Sequence, residues 1–122
     1  MKIRTADLTG AALDLAVAYA EDLEDVTFSV AKPRYCIFEY KRWEPSTNWA
    51  QGGPILEQQK NITLDYFPDG GHPYGGEWLV AIWDANGSLA KEEMGETILI
   101  AAMRCYVASK LGDEVEVPDG LL

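Results

Sequence analysis

The sequence predicts an α+β domain, in which an antiparallel sheet of about four strands carries an N-terminal helix and a long apolar C-terminal helix packed on it. Three observations predict this class: a helical apolar repeat near the start, several short strand-like segments, and an almost wholly apolar stretch near the end. Helices at both ends of a run of strands are typical of α+β domains. The 122 residues predict one domain, 1–122. We expect its acidic tail, 113–122, to be partly frayed after a short edge strand within residues 113–118.

The first predicted helix covers residues 8–23. Its apolar residues, including Leu8, Leu15 and Leu23, recur at the spacing of an amphipathic helix. Thr9 or Thr5 can cap its N-terminus, because a hydroxyl can accept from an unpaired backbone amide. The acidic run 21–25 puts negative charge at the negative end of the helix dipole, so we expect fraying there.

Four segments have the composition of strands. They are residues 26–30, 35–40, 61–66 and 77–83. The first two are separated by a short Lys-Pro breaker, which indicates a hairpin. The fourth is apolar on both faces, so it is either central in a sheet with both faces covered or part of a subunit interface.

The predicted C-terminal helix runs from Thr97 to Leu111 and is apolar on nearly every face. Thr97 or Glu96 begins it, and Gly112 offers a left-handed C-terminal stop. Arg104 interrupts it and has two interpretations. Its stem packs while its guanidinium stays in water, or its planar fork is aimed into a site where it matches a phosphate or carboxylate.

The charge balance excludes one class of partner. Twenty acidic and ten basic residues give a formal net charge of -10. Duplex nucleic-acid binding needs clustered Lys and Arg, and the basic residues here are scattered, so duplex binding is disfavoured. The acidity serves solubility, or it mimics nucleic acid toward a basic partner. Without an apolar run of 18 residues or the uncharged core of a signal peptide, we predict no membrane interaction or export.

The reactive side chains predict no catalytic or metal site. Cys36 and Cys105 are expected to be buried, reduced thiols, although a disulfide stays open because its geometry cannot be inferred from sequence. His72 is the only histidine and lies in a glycine-rich connection without a cluster of ligands, so we predict no metal and no cofactor. No base is held near a nucleophile, and carboxylates on so acidic a chain are not diagnostic. A non-enzymatic function is favoured.

The segment Trp43–Pro54 has a composition typical of neither helix nor strand, and it predicts a shaped loop followed by one or two helical turns beginning at Pro54. It contains two tryptophans, a Gly-Gly pair and a run of small polar side chains. With the arginine of the last helix, it supplies the candidate ligand-binding residues. They are Trp43, Ser46, Thr47, Asn48, Trp49, Gln51, Gly52, Gly53 and Arg104.

The chemistry of this segment has two interpretations. Indole faces can stack a base, hydroxyls and amides donate and accept, and glycines with a helix start can cradle an anion. Together these groups describe a site for a polar, nucleotide-like small molecule. The alternative is a structural plug, in which the tryptophans close the end of the sheet and the hydroxyls cap turns.

Two stretches carry a resemblance to a known family. Residues 45–55 and 100–115, with Leu8-Thr9-Gly10, make the chain similar to the NinX-like family of small proteins from tailed phages and prophages. The resemblance implies a phage or prophage origin and a bacterial host cytoplasm, and it assigns no activity. Asn48 stands where the family pattern has Asp, and Gly95-Glu96-Thr97-Ile98 replaces a Gly-Pro-Thr-Pro entry to the last helix. If an acid at 48 is catalytic in relatives, it is missing here, which favours binding.

Two function hypotheses follow. The first is a phage-encoded binding protein that holds a polar, nucleotide-like molecule, with sequestration of a host immune signalling nucleotide as a counter-defence role. The second is an acidic protein–protein interaction module that inhibits or modulates a host or phage protein, through its acidic surface or through strand 77–83. A homo-oligomer is compatible with either hypothesis.

Overall fold

The computed structural model of the protein describes residues 1–68 and 75–122. The described residues form three α-helices: α1 (Gly10–Ala20), α2 (Trp49–Gln58) and α3 (Ile98–Leu111). They also form eight strands: β1 (Lys2–Arg4), β2 (Thr27–Phe28), β3 (Cys36–Phe38), β4 (Lys41–Trp43), β5 (Ile62–Phe67), β6 (Glu77–Trp83), β7 (Leu89–Gly95) and β8 (Glu114–Glu116). The predicted α+β class is confirmed.

The strands form three antiparallel sheets in place of the single four-stranded sheet that we predicted. Their orders are β1-β8, β2-β3-β4 and β5-β6-β7. The predicted hairpin between the first two strand segments is present as the β2–β3 pair. The second segment stops at Phe38, because Glu39 and Tyr40 adopt positive φ values of 53° and 64° and reverse the chain into β4. Such a two-residue turn with φ > 0 at both positions matches the twist of a hairpin.

Helix α1 is shorter than its apolar pattern. It ends at Ala20, before the acidic run in which we expected fraying, and Asp22 and Asp25 have positive φ. Thr9 occupies the N-cap position but makes no side-chain capping bond. Thr5 is buried, and its hydroxyl donates to the carbonyl of Gly112 at 2.7 Å. Thr5, the other N-cap candidate, therefore does not cap α1 and instead joins the start of the chain to the end of α3.

Helix α3 matches its prediction closely and is the centre of the core. Thr97 caps it by accepting from the amide of Ile100 at 3.1 Å, and Gly112 ends it with a φ of 93°. It packs against β6 and β7, and also against α1 and α2. Eight of its residues are buried: Leu99, Ala101, Ala102, Met103, Cys105, Tyr106, Val107 and Ala108.

Strand β7 has no counterpart among the predicted strands. Its sequence, Leu-Ala-Lys-Glu-Glu-Met-Gly, lacks β-branched and aromatic residues, so composition gives no strand signal. Pairing with β6 defines it instead, and a bulge shifts the register between Ile82 and Trp83. Gly95 ends the strand where α3 passes closest, since a Cβ there would lie 2.5 Å from the backbone nitrogen of Ala101.

The acidic tail, for which we expected partial fraying, takes part in the fold. β8 pairs with β1, and Val115, Val117 and Leu121 are buried. The amino group of Met1 donates to Glu116 Oε1 at 2.8 Å and to the carbonyl of Val117 at 3.0 Å. The two ends of the chain are thus held together beside α3.

Replacing Gly95 by alanine should destabilise the protein, because the added Cβ meets backbone atoms that cannot rotate away. We expect a loss of about 2 kcal/mol in the free energy of unfolding, as for an overpacked core, measured by urea denaturation. Gly53→Ala is the matched control: its Cβ makes only an ordinary contact, 3.5 Å from the Trp49 ring. Because Gly53 precedes Pro54, a Cβ there disfavours the helical backbone and offsets the helix preference of alanine, so this control should lose clearly less stability than Gly95→Ala. Equal losses for the two variants would contradict the close approach at Gly95.

Candidate functional site

The second half of the Trp43–Pro54 segment is helical. Trp43 ends β4, a turn follows, and α2 begins at Trp49, with Pro54 inside the helix. The predicted loop is therefore confined to residues 44–48, and the helix begins five residues before the predicted start at Pro54. Asn48 caps the helix, because its Oδ1 accepts from the amide of Ala50 at 2.9 Å. Pro54 removes the helical bond to the carbonyl of Ala50, a cost limited by the exposure of both residues.

Asp14 of α1 anchors the start of the segment. Its Oδ1 accepts from the backbone amide of Ser46 at 2.8 Å, and its backbone carbonyl accepts from Trp43 Nε1 at 2.9 Å. Asp14 is only 6% exposed and Ser46 only 1% exposed. The hydroxyl of Ser46 is buried and has no hydrogen-bond partner among the described residues. Trp43 and Ser46 are therefore packing and anchoring residues.

The carboxyl of Asp14 is electrostatically unusual. Burial raises its pKa to about 6, and contact with Ser46 offsets part of that rise. Sequence patterns gave no signal for this, because Asp14 fell on the narrow polar stripe predicted for the helix. The Asp14 carboxyl anchors the turn at Ser46 at an energetic cost, since its charged form is poorly solvated at neutral pH.

Two further candidate residues hold the turn together. Gln51 accepts from the amide of Glu44 at 2.6 Å through Oε1 and donates to the carbonyl of Arg42 at 2.7 Å. Gly52 is buried where α2 crosses the turn, and a Cβ there would lie 2.2 Å from the carbonyl oxygen of Pro45. The amide group of Gln51 and the backbone approach at Gly52 thus serve the packing of the segment itself.

Arg104 serves the packing of α3. Its Nε donates to the carbonyl of Leu8 at 2.8 Å, and its Nη1 donates to the carbonyl of Met94 at 2.8 Å. Both acceptors lie outside the Trp43–Pro54 segment. Arg104 is half-buried and joins α3 to the start of α1 and the end of β7, an arrangement that neither sequence interpretation describes.

The outward side of the segment is open. Trp49 is 55% exposed, and its ring lies over Gly53. A groove of about 500 Å³ runs beside it, between α2 and the start of β5. Its lining residues are Trp49, Gly53, Pro54, Leu56, Glu57, Gln59 and Ile62. Of the nine candidate residues only Trp49 and Gly53 line it. Thr47 is exposed, and the polar groups of the other candidates make the contacts described above or are buried.

A second surface lies on the sheet β5-β6-β7. Side chains alternate along a strand, and Trp78, Val80 and Ile82 of β6 pack into the core beneath α3. Leu79, Ala81 and Trp83 therefore face the opposite side. Strand pairing adds Met94 opposite Leu79 and Leu89 opposite Trp83. These five residues, Leu79, Ala81, Trp83, Leu89 and Met94, form what we call the outer face.

Within the described part of the chain, α3 is the only element that packs extensively on this sheet, and it lies on the inner face of β6 and β7, whereas Leu64 and Tyr66 of β5 stay exposed on that face. β6 is thus central, as one sequence interpretation held. No helix packs extensively on its outer face, where Ala81 is only 3% exposed and Leu79 and Trp83 are half-buried. Trp83 lies across the outer face, since its Nε1 donates to Thr63 Oγ1 of β5 at 3.0 Å. Leu89 is 46% exposed there. The doubly apolar composition of residues 77–83 signalled this surface, whereas Leu89 and Met94 of β7 carried no signal.

Both cysteines are free and buried, which confirms the expectation of reduced thiols. Burial raises the pKa of the Cys36 thiol and of the Cys105 thiol to about 12. The two thiols are weak donors to the carbonyls of Ala11 and Lys91. Neither is poised for nucleophilic chemistry, because the thiolate is the reactive form.

The described residues contain no group of three or more His, Cys, Asp or Glu side chains that could hold a metal ion. His72 lies outside the described residues. No helix described for this chain is both long enough and apolar enough to cross a bilayer.

The fold and these surfaces define a small α+β protein with an apolar sheet face and an open groove beside α2. The family described as Bacteriophage P22, NinX matches residues 4–110, and the chain belongs to this phage protein family. The resemblance found in the sequence is confirmed. Comparison with curated proteins gave no match.

The buried carboxyl of Asp14 predicts an unusual dependence of stability on pH. Its folded pKa, about 6, lies above the ordinary value of 3.8, so its stabilising contribution is full below about pH 4 and is lost as the pH rises through 6. The shift corresponds to about 3 kcal/mol. Asp14→Asn keeps the acceptor for Ser46 and should unfold at higher urea than the natural protein at pH 7, with a smaller change between pH 4 and pH 7.

The control is Asp25→Asn, which removes an exposed carboxylate between α1 and β2 and should keep the natural pH profile. Urea denaturation followed by tryptophan fluorescence at four pH values measures both variants. An Asp14→Asn protein with an unchanged pH profile would show that this carboxyl is not the source.

Proposed function

We propose that this phage protein is a non-enzymatic protein-interaction module, which acts in the host cytoplasm and inhibits or modulates a host or phage protein through the outer face. The observation that carries the proposal is the row Leu79, Ala81 and Trp83 on the central strand of a sheet that α3 covers on one side only. An antiparallel sheet with one face in water ordinarily alternates apolar and polar residues. In β6, residues 78–83 are apolar on both faces of the sheet.

The composition of the outer face supports this proposal. Aromatic residues and methionine are enriched in protein interfaces, and tryptophan is among the residues that most often carry binding energy. Trp83 is already oriented by its bond to Thr63, so less side-chain entropy is lost when a partner covers it.

A matched pair of variants tests the interaction. Leu89→Asp places a charge on the outer face, and Tyr40→Asp places the same charge at the tip of the β3–β4 turn. Leu89 is 46% exposed and Tyr40 fully exposed, so neither change removes a core residue. In pull-downs from phage-infected cells, Leu89→Asp should lower recovery of a stoichiometric partner about tenfold, because a carboxylate would be buried in the apolar part of the interface.

Tyr40→Asp should recover the partner as the natural protein does. Urea denaturation of both variants confirms that each is folded. Recovery that Leu89→Asp leaves intact, or that both variants lower equally, would count against the outer face as the contact surface.

A second candidate function retains the Trp43–Pro54 segment as a ligand site. It is capture of a polar, nucleotide-like molecule, including sequestration of a host immune signalling nucleotide. The observation that favours it is the exposed Trp49 indole beside the groove of about 500 Å³. A base stacked on Trp49 would lie over an apolar lining, while Gln59 offers an amide. Glu57 lines the same groove, so the phosphates of such a ligand would have to point away from it.

Trp49→Ala is the informative variant for this candidate. Calorimetry against linear and cyclic nucleotides should show binding that Trp49→Ala weakens by about 1–3 kcal/mol, the usual worth of one stacked base. Leu89→Asp changes a residue that does not line the groove, so it should leave that binding unchanged. Absence of heat with every nucleotide of the panel would eliminate this candidate and leave the protein-interaction proposal standing.

A further inference from the structure

Carboxylates on the two neighbouring strands border the apolar row of the outer face. Asp65 on β5 pairs in register with Leu79, and Glu92 on β7 pairs in register with Ala81. Residues in register share a face of the sheet, so these two carboxylates flank the apolar row from opposite sides. With strands about 4.8 Å apart, they lie on the order of 10 Å from each other across β6. Both are exposed.

No described residue of these three strands supplies a compensating positive charge on this face. Lys91 is the one basic residue among them, and it pairs in register with Ile82 on the covered face. Its Nζ is held at 2.9 Å from Asp113 Oδ1. Glu77 at the start of β6 alternates to the same side as Leu79, which adds a third carboxylate to the border of the outer face.

The carboxylates that border the outer face favour one of two possible partners, which are a second copy of this chain and a basic protein surface. A second copy of the chain would bring the same carboxylates against each other across a two-fold axis, with a formal charge of -10 on each copy. Like charges brought together at an interface cost several kcal/mol and suppress the wrong partner. A basic surface meets the same carboxylates with opposite charge.

We infer that the outer face docks a basic protein surface, one with an apolar centre that covers Trp83 and Leu89 and with Lys or Arg side chains that pair with Asp65 and Glu92. The inference rests on the proposed function and names its partner class. Arginine fits best, because its planar fork can hold a carboxylate with two parallel hydrogen bonds.

The test uses two synthetic hairpin peptides with the same apolar face, one flanked by Arg and one by Glu. Backbone amide NMR of the whole protein reports where each binds. The Arg hairpin should shift signals of residues 79, 81, 83, 89 and 92, while the Glu hairpin should not. Raising NaCl from about 0.05 to about 0.5 M should weaken binding of the Arg hairpin about tenfold, because exposed charges are screened.

Two exposed glutamates provide the matched variants. Glu92→Lys should weaken binding of the Arg hairpin at least about tenfold, and Glu24→Lys, beyond the end of α1, should leave it within about twofold. Equal binding of the two hairpins, binding of neither, or indifference to Glu92→Lys would overturn the inference. Sedimentation of the protein alone supplies one more decisive outcome: a dimer that Leu89→Asp dissociates would make a second copy the occupant.

These outcomes separate the inference from the proposed function. The hairpins probe the charge preference of the surface without any cellular partner, whereas the pull-down probes whether a partner is used. A partner that Leu89→Asp loses, combined with hairpins bound equally, would retain the proposed function and reject the basic class.

Discussion

Helix α3 packs on one face of the β5-β6-β7 sheet, and most of the core is built around this contact. One helix, apolar on nearly every face, fills the space between the sheet and the other two helices. Gly95 and Gly52 allow the close approaches around it, and Arg104 ties it to the carbonyls of Leu8 and Met94. All of this packing is on one side of β6, and the outer face of the same strand is the surface for which we propose a partner.

Local patterns were sufficient where an element is defined by its own composition. Helix α3, with its Thr97 cap and Gly112 stop, and strands β5 and β6 follow the predicted segments within one or two residues. β7 could not be predicted, since Lys91, Glu92 and Glu93 have no strand preference and the strand exists through pairing with β6. The single predicted sheet became three for the same reason, because pairing partners are set by tertiary packing.

The Trp43–Pro54 segment shows what composition conceals. Glycine and proline disfavour a helix, yet α2 forms there. Asn48 caps it, and Gly52 lets it approach the backbone of Pro45 closely. The turn before it is held by Asp14, a residue distant in sequence. Most of the polar groups that we considered as ligand-binding groups, such as the amides of Asn48 and Gln51, make hydrogen bonds within the protein instead. The open part of the segment is the side that Trp49 presents. The surface that we propose for binding lies elsewhere, on β6, whose doubly apolar sequence is compatible with an interface.

We propose that the outer face contacts another protein in the host cell. A photo-reactive amino acid at position 89, activated by light in infected cells, tests this contact, with the same amino acid at position 40 as reference. We expect a covalent adduct between position 89 and a basic protein other than this chain, and none of comparable yield from position 40. Adducts that form only from position 40, or only between two copies of this chain, would contradict it.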